Sequence, residues 1–208
     1  GFISNLPHTL IDAFKSTHQL DERKIIALLP GSRKQEIKVK LPIMLSIAKD
    51  FPDYQFVVAG APSQEESFYR QIAGNDVKIV FGETYDLIRA AEAALVTSGT
   101  ATLETALLNT PEVVCYKGSW ISYEIGKRVV KYIDYIALVN LIMNREVVKE
   151  LIQSELNPKN LKIELEKILS EPKRSQVLKD YEELRIKLGG SGASKKTAGM
   201  IIDDLKGV

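Results

Sequence analysis

The chain holds one cysteine among 208 residues. A single thiol cannot close an internal disulfide or build a multi-cysteine metal site. Cys115 stands inside an apolar run, Val113-Val114-Cys115-Tyr116, and reads as a buried small hydrophobe. No apolar run approaches the length of a membrane-spanning helix, and no signal peptide is visible. Charge of one sign is scarce too: 28 Lys and Arg stand against 27 Asp and Glu, so the net charge is +1. That lacks the basic excess expected of a nucleic-acid-binding chain. Several signatures are missing as well. Without Gly-Lys-Ser or Gly-Lys-Thr there is no Walker loop, and without Gly-x-Gly-x-x-Gly a nicotinamide enzyme is disfavoured. Internal repeats and low-complexity runs are absent. The chain opens on Gly1 rather than methionine, which we read as a tag remnant followed by a piece of a longer protein.

What is present is an alternation of short apolar runs with helical spacing. Residues 25–29, 54–59, 77–81, 94–97 and 113–116 read as strands, and 135–139 as a last one. Helices are expected over 9–18, 36–51, 63–73, 84–91 and 101–108. Pro42 should kink the second of these or mark its true start, and Ser63 with Glu66 has the spacing of a capping box. Further on, 119–131, 146–154, 161–169, 176–188 and 193–205 read as helices, with 140–144 as a connector and a flexible Gly-Gly-Ser-Gly break at 189–192. The alternation predicts an α/β fold: a Rossmann-like parallel sheet of about six strands with helices on both faces, plus C-terminal helices. Residues 1–188 would form that domain and 189–208 a crossover helix or tail.

Open parallel sheets bind ligands beyond the carboxyl ends of their strands, where strand order reverses. In the dinucleotide-binding order, the first and fourth strands meet at that point. The loops leaving them are Leu29-Pro30-Gly31-Ser32-Arg33 and Thr97-Ser98-Gly99-Thr100. Each offers glycine for close backbone approach and a hydroxyl for a cap or phosphate. The second opens a helix, whose N-terminus is suited to an anion. Arg33 adds a charged fork for a diphosphate, and Glu104, about one turn into the helix, can reach sugar hydroxyls. The plain alternatives are a dipole-complementing Glu104 and a surface Arg33 paired with Glu36. Two weak motifs brought to one crevice favour an anionic nucleotide ligand.

These motifs carry a family resemblance. Leu29-Pro30-Gly31-Ser32-Arg33-Lys34-Gln35-Glu36-Ile37 resembles the Leu-Pro-Gly-Ser-Arg-x-x-Glu-(Ile/Val) motif of the lipid-A-disaccharide synthase family. Ser98-Gly99-Thr100-Ala101-Thr102-Leu103-Glu104 is similar to its Ser-Gly-Thr-Ala-x-Leu-Glu, and 113–116 to its Val-Val-x-Tyr strand. Residues 135–141 resemble its Tyr-Val-Ser-Leu-Pro-Asn-Leu, and 145–153 its Arg-Glu-x-Val-x-Glu-Leu-x-Gln. His8-Thr9-Leu10-Ile11-Asp12 is similar to the entry to the same half. The departures are Val139 for proline, Ala137 for serine and Pro7 for glycine.

The resemblance implies the donor-binding half of an inverting, two-Rossmann-domain (GT-B) glycosyltransferase. Such an enzyme joins UDP-2,3-diacylglucosamine to 2,3-diacylglucosamine 1-phosphate, giving a β-1,6 disaccharide and UDP. The acceptor half and the catalytic base would lie outside this chain, which alone would be inactive. Carried over, Gly31, Ser32 and Arg33 would hold the diphosphate, and Glu36 of the same motif would count among the substrate-binding residues. Ser98, Gly99 and Thr100 would donate at the helix cap, and Glu104 would take the ribose. Tyr116 would frame the uracil, while Asn140 and Glu146 would sit near the sugar–phosphate junction. No cofactor or metal is expected, since Arg33 and a helix dipole can meet the leaving charge and no Asp-x-Asp is present to hold a cation. Work on acylated substrates implies a cytoplasmic protein at the inner membrane of a Gram-negative bacterium. Helix 119–131, with aromatics beside Lys127, Arg128 and Lys131, fits a membrane surface or an ordinary basic-rimmed packing helix. The last helix, after its glycine break, could be exchanged in a homodimer. A UDP-sugar 2-epimerase-like isomerase and a non-catalytic nucleotide-sugar-binding module are the alternatives.

Overall fold

In the computed structural model of the chain, residues 8–97, 99–118 and 135–189 are described. Their six strands are β1 (Lys24–Leu29), β2 (Tyr54–Gly60), β3 (Lys78–Phe81), β4 (Ala91–Thr97), β5 (Glu112–Tyr116) and β6 (Lys149–Ile152). All pair in parallel, in the order β3-β2-β1-β4-β5-β6. The helices are α1 (His8–Thr17), α2 (Lys34–Ser46), α3 (Glu66–Ala73), α4 (Thr84–Ala90), α5 (Thr100–Leu107), α6 (Leu138–Met143), α7 (Pro158–Leu169) and α8 (Lys173–Lys187).

A central strand of a parallel sheet is covered on both faces and therefore reads as a continuous apolar run. Ile25-Ile26-Ala27-Leu28-Leu29 in β1 is buried throughout. Its side chains alternate between the two layers. Ile26 and Leu28 pack with Ile37, Leu41 and Met44 of α2 and with Leu161 and Leu165 of α7. Ile25 and Ala27 pack with Phe14 of α1 and Leu87 and Ile88 of α4. Towards β6 the second layer continues with Leu103 of α5, Val139 and Met143 of α6, and Val177, Tyr181 and Leu184 of α8. Cys115 is fully buried, as its apolar run predicts, and burial pushes its thiol up to about 12.

Four local expectations need correction. The sixth strand is Lys149–Ile152, not 135–139. Residues 138–143, split in the sequence reading between a strand and a connector, form α6. The segment 146–154, read as helix, instead supplies β6 and the short 3₁₀ turn Gln153–Glu155. The cause is one buried carboxylate. Glu150 in β6 accepts from the amides of Ile136 (2.9 Å) and Ala137 (2.8 Å), satisfying donors ahead of α6 that a strand there would have paired with a neighbour. The capping box is also absent: α3 starts at Glu66 with no side-chain cap, and Ser63 turns towards the carbonyl of Ser32 instead. Pro42 lies inside α2, which already begins at Lys34; it sits on the exposed face, where water can meet the carbonyl that lost its donor. The expected helix 119–131, the tail 193–205 and Ser98 lie outside the described residues, and with them the membrane-facing and tail-exchange expectations. No helix among the described residues is long and apolar enough to cross a membrane.

Candidate functional site

The strand order puts β1 beside β4, with Leu29 in register with Val96. The residues that leave these strands, Pro30 to Arg33 after β1 and Thr97 and Gly99 at the end of β4, therefore stand side by side at the carboxyl edge of the sheet. This is the topological switch point that the sequence predicts.

The first loop turns on Gly31, at φ 103°. The φ favours glycine here, since an L side chain is strained at it; a β-carbon would also stand 2.5 Å from Oε2 at the flexible end of Glu36. The Glu36 carboxylate thus lies directly beneath the loop. Arg33 takes the cap position of α2 in extended conformation, and its carbonyl accepts from the amide of Ile37 at 3.0 Å. Its side chain is 84% exposed, and Nη1 lies 3.5 Å from Oε1 of Glu36. So exposed a pair contributes little to stability. The carbonyl of Ser32 accepts from Gln64 Nε2 at 2.9 Å, so the loop after β2 braces the loop after β1.

The second loop turns on Gly99, at φ 132°, where the constraint is conformational alone. Its carbonyl accepts from the amide and the hydroxyl of Thr102 as α5 begins. Thr97 is buried at the end of β4, and its hydroxyl has no hydrogen-bond partner among the described residues. Glu104 follows one turn into α5, half-buried, and accepts from the Tyr85 hydroxyl at 3.0 Å. These two residues close one side of a groove of about 440 Å³ lined also by Pro62, Gly82, Glu83, Thr84 and Arg89. Burial first, and then Glu104, raise the Tyr85 hydroxyl above its ordinary pKa. The structure therefore brings Gly31, Ser32, Arg33, Glu36, Gly99, Thr100 and Glu104 to one edge.

Of the remaining expected residues, Tyr116 ends β5 one residue past Cys115, which is in register with Thr97, so it stands at the same carboxyl edge beside the second loop but does not line the groove that Glu104 closes. Glu146 is exposed and paired with Lys149 at 3.1 Å. Asn140 has a different task from the one the resemblance implies. It is fully buried; its Oδ1 accepts from the amides of Val147 (2.7 Å) and Val148 (3.0 Å). Its Nδ2 donates to Val148 O and to Oε1 of Glu150. With every polar atom used internally, Asn140 pins α6 to the start of β6. Tyr85 and Gln64 were missed. Tyr85 opens the helix after β3 and Gln64 lies on the loop after β2, and the doubly wound order brings both to the same edge, so topology was the signal that could have found them.

Comparison with known proteins agrees with this architecture. A family model described as Lipid-A-disaccharide synthetase matches residues 6–202. A lipid-A-disaccharide synthase of Syntrophus aciditrophicus is 39% identical over 98% of this chain and 58% of the relative. One from Anaeromyxobacter dehalogenans is 37% identical over 95% of this chain and 54% of the relative. The chain thus spans somewhat over half the length of these curated relatives. Among solved structures, Anabaena HepE in complex with UDP and glucose superposes with a TM-score of 0.60 at 13% identity, covering 99% of this chain and 54% of that one. E. coli ADP-heptose LPS heptosyltransferase II gives 0.56 at 19% identity, over 79% and 52%. At such identities these two speak for the fold alone. The family match, the relatives and the two loop motifs agree, and the chain belongs to the lipid-A-disaccharide synthase family.

Proposed function

We propose that this chain is the UDP-sugar-binding part of a glycosyltransferase that makes the lipid A disaccharide. The whole protein would join UDP-2,3-diacylglucosamine to 2,3-diacylglucosamine 1-phosphate through a β-1,6 link and release UDP. The observation that carries this reading is the pair of adjacent glycine turns at Gly31 and Gly99, with Arg33 exposed beside them. A diphosphate resting there meets backbone amides, the N-terminus of α5 and a guanidinium. As the bond to the sugar breaks, negative charge grows on the departing UDP, and preorganised donors and a fixed cation stabilise it. The ribose reaches Glu104, whose carboxylate Tyr85 orients, and the nucleoside lies along the groove that this pair closes on one side.

Residues 1–188 form the donor unit in this reading, and 189–208 a tail that crosses towards an acceptor unit in the rest of the protein. That unit holds the acylated acceptor and the catalytic base, since an inverting transfer needs a base within hydrogen-bond reach of the attacking hydroxyl. Acylated substrates reside in a bilayer, so the protein works at a membrane surface on the cytoplasmic side. The test is calorimetric titration of UDP into this chain with chelator present, followed by an assay for disaccharide from both acylated substrates. We expect binding without turnover. Loss of binding with chelator would overturn the metal-free site, and turnover would put the base within these residues.

A further inference from the structure

Helix α2 carries a buried stripe at Ile37, Lys40, Leu41 and Met44. The spacing is that of a core-facing helical face, and three members are apolar. The fourth is a lysine whose side chain is 2% exposed. Burying an ammonium is costly unless it is paired. Among the described residues its ion-pair partner is Oε2 of Glu36, one turn back along the helix at 4.0 Å. That oxygen is the one beneath Gly31, and the other oxygen of the same carboxylate faces Arg33 at 3.5 Å. Two cations therefore share one carboxylate directly under the first glycine turn.

We propose that Lys40 is a positioning residue for the diphosphate loop: its buried ammonium holds Glu36 beneath Gly31 and balances its charge, which leaves the Arg33 guanidinium available to a ligand. The inference rests on the UDP-binding reading above. Without Lys40, the Glu36 carboxylate would have Arg33 as its counter-ion, and the loop would present no net charge to a diphosphate. With it, the three groups sum to one positive charge. A surface arginine alone would be drawn to Glu36 as readily as to a phosphate; the buried lysine removes that competition. Burial lowers the Lys40 pKa, and the Glu36 carboxylate works against that shift by favouring the charged ammonium.

The test uses Lys40→Met, Glu36→Gln and the double variant, each titrated with UDP and with inorganic pyrophosphate and each melted. Methionine suits an apolar stripe and removes a buried charge, so Lys40→Met should melt no lower than the parent. It should bind UDP about tenfold more weakly, about what one charge at this range contributes. Adding Glu36→Gln should return affinity to within about twofold of the parent, because the carboxylate that would hold Arg33 is then gone. Glu36→Gln alone should bind at least as tightly as the parent. A purely structural lysine would instead show a lowered melting temperature that Glu36→Gln does not repair. Unchanged affinity in Lys40→Met, or no recovery in the double variant, would overturn the assignment of Lys40 while the UDP reading stands. A parent chain that binds neither UDP nor pyrophosphate would overturn both.

Discussion

The Tyr85 hydroxyl, at the start of α4, donates to the Glu104 carboxylate of α5 across 3.0 Å. The bond closes one side of the groove and fixes a carboxylate that would otherwise rotate. Tyr85→Phe keeps the ring and removes the bond. We expect UDP to bind about two- to tenfold more weakly, matching the roughly 0.5–1.5 kcal/mol of one such bond. Pyrophosphate, which has no ribose, should bind equally to both forms. Calorimetry with the two ligands separates these outcomes, and a parallel loss for pyrophosphate would place Tyr85 at the phosphates instead.

Arg33→Ala should weaken both ligands. Its side chain is 84% exposed and packs on nothing that the fold requires, so the melting temperature should hold to within about a degree. UDP and pyrophosphate should both lose about 1.5–3 kcal/mol, the worth of a charge-assisted hydrogen bond. Equal affinity in variant and parent would remove Arg33 from the site.

Asn140→Ala tests a side chain whose polar atoms all bond within the chain. The change strands the amides of Val147 and Val148 in the interior. At about 1–3 kcal/mol for each orphaned donor, the melting temperature should fall by roughly 5–15 °C. Below the transition, the folded variant should bind UDP as the parent does. Weaker UDP binding without a fall in melting temperature would restore Asn140 to the ligand.

Glu112 gives a pH dependence. It is fully buried, neither carboxylate oxygen has a hydrogen-bond partner among the described residues, and desolvation raises its pKa well above the ordinary 4.5. The folded chain therefore keeps this proton at a pH where the unfolded chain has released it. The stability contribution is complete below about pH 4.5 and is lost as pH rises towards the folded value. Glu112→Gln is neutral at every pH and escapes that loss. Melting curves from pH 4 to 8 should show the variant level with the parent at the acid end and increasingly more stable towards pH 8. A difference that does not change with pH would show that Glu112 is charged in the fold.

Much of this was legible in the sequence because parallel strands buried on both faces announce themselves: 25–29, 56–59 and 93–96 are apolar without interruption. Gly31 and Gly99 were legible for a related reason, since small-residue loops at strand ends have few other uses in this architecture. The edge strand β6 was not. Lys149-Glu150-Leu151-Ile152 has the composition of a helix, and its Glu150 faces amides from a segment that the sequence does not place beside it. Lys40 was hidden in another way. A pattern of polar and apolar residues counts lysine as solvent-facing, and only the packing of α2 against the sheet shows this one inside. The capping box failed because Ser63 had a partner from another loop, which local spacing cannot reveal.

The order β3-β2-β1-β4-β5-β6 has one more consequence, for how the chain unfolds. The crevice straddles the seam between β1 and β4, whose strands lie far apart in sequence. Neither half of the sheet possesses it alone, so it comes into being only when that distant pairing closes, a contact of high loop-closure cost. A nucleotide lodged there acts as a clasp between the two halves. At a concentration of one hundred times its dissociation constant it adds about 2.7 kcal/mol to the unfolding free energy. Amide exchange along Leu28 and Leu95, on either side of the seam, should slow together as the site fills.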